Sequence, residues 1–345
     1  MLKMKMNIKT AVAVASLMFF FPGTVSSQVA DDGLSGVRGR EFREVLDIQE
    51  AGMHSRSHNL FRNLSDRKDD SYAEGSAVLD QVVLKVPGYE SAMARFESRH
   101  PHSVMIPRIR YAHAVNLFAS QEYEAAASWL DMVTPSHISR KQHDVYLFMK
   151  AYCSLDAENY DIALLRFKEI EKRPASGYTA PSRYAVGYIN YERKDFHEAL
   201  GWFEKSSQDV RFREISNYYI MECRFMLGDH KYVTSCAEEM YESVPQDRKP
   251  HLARIISESY LVLGDSENAR KYYELNAGEE GKERTRADWF YSGSVLYAVK
   301  DYAGAVECFE NMGVKADSIG QIANYHLGYS YIQTKNKVAA MEGPS

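Results

Sequence analysis

The feature that most constrains this chain is a motif that returns about every 35 residues. In the segment NYDIALLRF, Tyr160 is followed by Ala163 at +3 and Phe167 at +7. The same spacing recurs as Tyr89, Ala92, Phe96; as Tyr123, Ala126, Leu130; as Phe196, Ala199, Phe203; and as Tyr302, Ala305, Phe309. Looser copies are His54, Ser57, Phe61; His230, Val233, Ala237; and Ser266, Ala269, Tyr273, and a last one starts at Lys337 with Ala340. A length of 345 residues allows two or three globular domains or one elongated array. Self-similarity at this period selects the array, because each unit is a small piece that buries its apolar face only against its neighbours.

Positions 0, +3 and +7 share one face of an α-helix. Ala at +3 lets a neighbouring helix come close, and the aromatic at +7 fills the space beside it. Twelve residues before that Ala stands another small residue in most copies: Ala114, Ala151, Gly187, Ser257, Gly293 and Gly328. Each unit is therefore two helices that cross where two small residues meet. Short polar turns join them at Lys194-Asp195, Gly228-Asp229, Gly264-Asp265 and Lys300-Asp301. Proline respects the same register. Pro101, Pro107, Pro135, Pro174, Pro181, Pro245 and Pro250 fall between units and Pro87 in an intra-unit turn. A proline in a helix interior would cost ~3 kcal/mol.

These residues resemble the tetratricopeptide repeat. Trp289, Gly293, Tyr302, Ala305 and Phe309 match its pattern almost fully, as do Ala151, Tyr160, Ala163, Phe167 and Pro174, and Gly187, Phe196, Ala199 and Phe203. The unit near Ile215 departs, with Met221, Val233 and Ala237 at the key places, and so does the first unit. The resemblance implies an all-α fold, a right-handed α-solenoid of stacked antiparallel helix pairs whose first helices line a concave groove. It covers residues 40–342 as about eight pairs and an incomplete ninth.

Residues 1–27 read as a secretory signal peptide. Lys3, Lys5 and Lys9 precede an apolar stretch, Ala11 to Phe21, interrupted only by Ser16, and Val25 and Ser27 are small residues before a cut at Gln28. At about 1.5 Å per residue that stretch falls well short of a ~30 Å hydrocarbon core. No Cys follows it, and no later segment is apolar enough to span a membrane. Residues 28–39, with Gly33, Gly36 and Gly39, read as a flexible leader, and 343–345 as a truncated tail. The segment 1–27 carries three lysines and no acid, so 39 basic face 47 acidic residues beyond it, net −8. Nucleic acid is not an expected partner, because phosphate neutralisation needs a clustered basic face and here the bases are scattered among acids.

Chemistry is sparse. Cys153, Cys223, Cys236 and Cys308 form no CxxC and read as small packing residues, although Cys223 and Cys236 lie on the two helices of one unit. His54 and His58 share a helix face without a third metal ligand, and His100 and His102 flank Pro101 in a loop. There is no G-x-S-x-G, H-E-x-x-H or P-loop. Glu238-Glu239 and Glu279-Glu280 read as solvated. No enzyme activity, metal or cofactor is expected.

The functional promise is aromatic, with 24 Tyr in the chain. In the repeat register, residues fifteen, eleven and eight before the motif Ala point into the groove. These are Tyr111, Phe148, Tyr152, Tyr184, Tyr188, Tyr191, Tyr218, Phe290, Tyr297, Tyr325 and Tyr329, joined by Phe118 and Phe225. Such a ladder grips an extended peptide or a glycan, or simply packs neighbouring units. Tyr184, Tyr188 and Tyr191, on one helix near the middle of the array, are the expected centre of binding. Glu222 and Glu258 also fall among the groove positions and would repel a peptide's terminal carboxylate. The resulting expectation is a periplasmic or outer-membrane-associated, non-enzymatic protein-interaction scaffold of a Gram-negative cell envelope. The alternatives are a glycan-binding protein of the outer membrane and an accessory subunit of a peptidoglycan-processing complex. Gly343 and Pro344 stop the last helix where an aromatic is due, so the chain reads as a cut piece that self-associates through an uncapped C-terminal end.

Overall fold

The computed structural model describes residues 37–66, 71–276, 284–313 and 317–334. The expected signal peptide, most of the leader, the second helix of the ninth unit at Lys337 and Ala340, and the tail lie outside the described residues. Among the described residues there are eighteen α-helices, one short 3-10 turn and no strand.

The motif positions mark helix starts. The second helices open on the first motif residue: α2 (His54–Asp66), α4 (Tyr89–Arg99), α6 (Tyr123–Asp131), α8 (Tyr160–Glu171), α10 (Phe196–Ser206), α12 (His230–Ser235), α15 (Ser266–Asn276) and α17 (Tyr302–Met312). The first helices are α1 (Val37–Glu50), α3 (Ser71–Val83), α5 (Ile106–Ala119), α7 (Arg140–Asp156), α9 (Thr179–Glu192), α11 (Arg213–Met226), α14 (Lys249–Val262), α16 (Arg286–Ala298) and α18 (Ser318–Gln333). In the departing unit the second helix breaks at Cys236, and α13 (Ala237–Ser243) continues it. There Ala237 takes the place of the aromatic at +7, so the bulky anchor that holds the other second helices is missing.

The turn between partners has a stereochemical signature. Two residues before most motif starts the backbone is left-handed, at Gly52, Gln121, Glu158, Lys194, Gly228, Gly264 and Lys300. After Lys194, Gly228, Gly264 and Lys300 the next residue is an Asp whose side chain caps the second helix. Asp195, Asp229, Asp265 and Asp301 each accept a backbone N–H three residues on, at 3.1–3.3 Å. Pro107, Pro181 and Pro250 sit in the first turn of α5, α9 and α14 rather than between helices, where the missing N–H has no intrahelical partner to lose.

The described residues divide into two compact units, one up to Ile189 and one from Asn190 onward. In the first, α2 packs on α1 and α3, α3 on α4 and α5, α6 on α5 and α7, and α7 on α8. Phe42, Phe61, Ala73 and Ala77 form one apolar cluster and Leu79, Phe96, Met105 and Ile109 another. In the second, α10 packs on α11, α14 meets α11, α12, α13 and α15, and α16, α17 and α18 pack on one another around Ala305, Phe309 and Leu327.

The small-residue crossings hold. Ala126, Ala163, Ala199, Ala269 and Ala305 are fully buried, as are Ala114, Ala151 and Ser257 on the facing helices. The Ser257 hydroxyl donates to the Ala269 carbonyl at 2.6 Å. A methyl group on Gly293 would lie 2.6 Å from Phe309 Cε1. Since Phe309 is itself buried, Gly293→Ala should destabilise by ~1–3 kcal/mol. Lys300→Gly, which relieves a left-handed lysine, should cost nothing or gain up to about 1 kcal/mol. Urea unfolding of both variants beside the parent chain checks the pair.

Candidate functional site

The aromatic ladder separates by burial. Tyr111, Phe148, Tyr152, Tyr184, Tyr188 and Tyr218 are buried. Phe148 stacks among Tyr152, Phe167 and Tyr178, and Tyr152 among Phe118 and Tyr123, at ring separations of 5.0–6.2 Å. Their faces are spent on neighbouring helices, so the expected central triad reduces to Tyr191, which is half-buried. Phe290 and Tyr297 are half-buried against the α17–α18 cluster. Tyr325 and Tyr329 are exposed, with Tyr329 against the rings of Tyr297 and Tyr302. Ile322, Tyr325, Tyr329 and Ile332 make an exposed stripe at helical spacing along α18.

The groove positions that do converge are those of the second unit. A cleft of about 230 Å³ is lined by Tyr191, Glu222, Phe225, Met226, His251, Arg254, Ile255 and Glu258. Tyr191 ends α9. Glu222 and Phe225 lie on one face of α11, and His251, Arg254 and Glu258, spaced three and four apart, on one face of α14. Tyr191, Glu222, Phe225, Arg254 and Glu258 all stand fifteen, eleven or eight residues before their motif position, so the repeat register itself brings them together. Arg254 was reachable by that rule, since it stands fifteen residues before Ala269. His251 lies one turn further up and has no register signal; only its i, i+3 spacing to Arg254 points to the cleft.

Glu222 is the buried floor of the cleft, 2% exposed. One oxygen accepts a hydrogen bond from the Tyr191 hydroxyl. The other, Oε1, is buried and accepts no aligned hydrogen bond. His251 Nδ1 lies 3.1 Å from it and also meets the Tyr218 hydroxyl at 3.0 Å. Burial alone would push the Glu222 carboxyl up, but His251 and the hydroxyls of Tyr191 and Tyr218 outweigh it and hold the group below the ordinary glutamate value. Burial and the Glu222 charge push both tyrosine hydroxyls up, so they stay protonated donors. Arg254 is committed elsewhere: it donates to Glu258 at 2.8 Å and to Asp288, and lies over the Tyr291 ring. Arg248 lies over Tyr218.

A second buried polar cluster was not legible as a site. Asp80, fully buried, stands twelve residues before Ala92, where other units hold a small residue. It accepts from Gln49 Nε2 at 2.8 Å and Ser57 Oγ at 2.6 Å, and lies 2.6 Å from His54 Nδ1. Serine and imidazole both turn to the same carboxylate, so no serine–histidine nucleophile pair is formed. The warning signal was Ser57 in place of the motif Ala. His58 faces the Ala77 carbonyl at 3.0 Å and His100 pairs with Glu74. The four cysteines are free; burial pushes Cys153 and Cys223 up to about 12 and Cys308 up to about 11. Among the described residues no group of three or more His, Cys, Asp or Glu could hold a metal ion, and no helix is long and apolar enough to cross a membrane.

No family model and no curated protein matches the chain. Among solved structures it is similar to a tetratricopeptide repeat protein from Parabacteroides merdae, at 14% identity over 85% of this chain and 98% of the other, with a TM-score of 0.35. It is similar to the P58(IPK) TPR domain at 11% identity over 87% and 98%, TM-score 0.35. A third is the Rap protein complexed with competence and sporulation factor, at 12% identity over 88% and 94%, TM-score 0.36. Motif-opened second helices, left-handed turns and buried small-residue crossings make the described residues an all-α array of repeated helix pairs.

A depressed native carboxyl adds stability that is complete above the unfolded value, 4.5 for an ordinary glutamate, and is lost as pH falls through the lower native value. Glu222→Gln should therefore cost about 1–3 kcal/mol near neutral pH. The gap to the parent chain should close as pH falls below 4.5. Carboxylates common to both chains cancel in this difference. Thermal melts of the two chains across the acid range measure it, and a gap that stays constant would contradict the ionised assignment.

Proposed function

We propose that the chain is a non-enzymatic interaction scaffold, exported to the bacterial envelope, that holds an extended segment of a partner protein in the cleft of its second unit. The observation that carries this reading is the convergence of groove-register residues from α9, α11 and α14 on one half-open cleft. Its walls mix an aromatic face at Tyr191 and Phe225 with an exposed flexible apolar side chain, Met226, a composition suited to protein recognition. The N-terminal address of residues 1–27 supports export, and the wiring of Ser57, His54 and Asp80 supports a structural rather than catalytic use of the most enzyme-like cluster. The chain beyond residue 27, used as bait in envelope extract, should retain a partner. Tyr191→Ala combined with Met226→Ala should weaken retention about tenfold or more while leaving helicity intact. Retention unchanged by both substitutions would move the binding surface away from the cleft.

The stripe Ile322, Tyr325, Tyr329 and Ile332 supports a further part of the reading, self-association through α18. Sedimentation should then show mass rising with concentration, and Ile322→Glu with Ile332→Glu should return the chain to a concentration-independent species. A chain that sediments identically at all concentrations would remove this part.

A further inference from the structure

We propose that the cleft of the second unit is a seat for the side-chain cation of a lysine or arginine, with Glu222 as the recognising anion and His251 as its displaceable cover. The proposal rests on the scaffold reading and names what the partner must present. Glu222 is the starting point. A carboxylate this deeply buried ordinarily has both oxygens engaged by donors. Here only the Tyr191 bond is aligned; Oε1 faces an off-line contact from His251 Nδ1, with the Tyr218 hydroxyl, itself 3.0 Å from that nitrogen, beside them. That imidazole is 57% exposed on its side chain and divides its nitrogen between Glu222 and the Tyr218 hydroxyl. The group covering the buried anion is therefore more solvated than Glu222, Arg254 or Glu258.

The charges around it point the same way. Glu222 and Glu258 line the cleft against one guanidinium, Arg254. Arg254 is engaged by Glu258 and by Asp288 and packs on the Tyr291 ring, so its charge is used at the α14–α16 side. Arg248 is held over Tyr218 and does not line the cleft. Among the described residues no lysine or arginine is paired with Glu222. An incoming ammonium or guanidinium supplies that partner, and a buried anion gains most from a charged donor. The walls suit the stem of such a side chain. Phe225, Met226 and Ile255 offer apolar surface to the methylenes, and Tyr191 adds an aromatic face near the cation. A terminal carboxylate, the opposite chemistry, would meet Glu222 and Glu258 together.

The test uses the chain beyond residue 27 with its histidines selectively labelled, and blocked alanine pentapeptides carrying lysine, arginine, norleucine or glutamate at the centre. The readout is the His251 ring signal, assigned by its loss in His251→Gln. Lysine or arginine, or both, should move it saturably, which also tells the two cations apart. Norleucine, which keeps the stem without the charge, should bind at least about tenfold more weakly, and glutamate should leave the signal unmoved. Glu222→Gln should weaken the cationic peptides at least about tenfold. Should that variant fail to fold, Glu258→Gln at the rim serves instead, with a loss of about threefold expected. Norleucine binding as tightly as lysine, or a folded Glu222→Gln chain that keeps full affinity, overturns the proposal. Failure of all the cationic peptides while the chain still captures a partner through Tyr191 and Met226 overturns the cation seat and leaves the scaffold reading standing. Cation binding by a chain that captures no partner does the reverse.

Discussion

Everything in this chain depends on how closely two helices can approach at the crossing of each pair. Where Ala, Ser or Gly face each other the backbones come close enough for the Ser257 hydroxyl to reach the Ala269 carbonyl and for the Phe309 ring to lie over Gly293. That approach lets the aromatic at +7 close the gap on one side, as Phe96, Phe167 and Phe203 do without exposed surface. Dense packing of this kind tolerates little added volume. The crossing also sets the direction of the connecting turn, which is why left-handed residues recur there even where the residue is Lys, Gln or Glu. Where the anchor is lost, at Ala237, the second helix breaks.

The same packing decides which aromatic residues remain available. A tyrosine on a first helix has its ring close to the next pair, and most rings settle against it. Tyr152 among Phe118, Tyr123 and Phe148 is one case. Burying such a ring yields ~1.5–3 kcal/mol, more than an occasional ligand contact would return to the free protein. The cleft forms where the register places charge instead of rings, at Glu222, Arg254 and Glu258, because ionised groups resist being packed shut and keep a path to water. Glu222 is the exception that went inside, and the hydroxyls of Tyr191 and Tyr218 with His251 keep it ionised there.

The fold was legible in the sequence, and the reason is local. Spacing of 0, +3 and +7 specifies a helix face, a small residue specifies a crossing, and an Asp after a left-handed position specifies a cap; each needs only the residues nearby. Hence the second helices open at the motif residue from His54 to Tyr302. The site was legible only in part. The register named the groove positions, including Glu222 and Glu258, but it could not tell Tyr184, sealed in the interior, from Tyr191 at the cleft wall. Nor could it pair Asp80 with Gln49, His54 and Ser57, or bring His251 to Glu222. Periodicity determines which face of a helix a residue occupies; how deep that face lies, and which polar groups meet on it, depends on helices thirty residues away, and only their packing decides it.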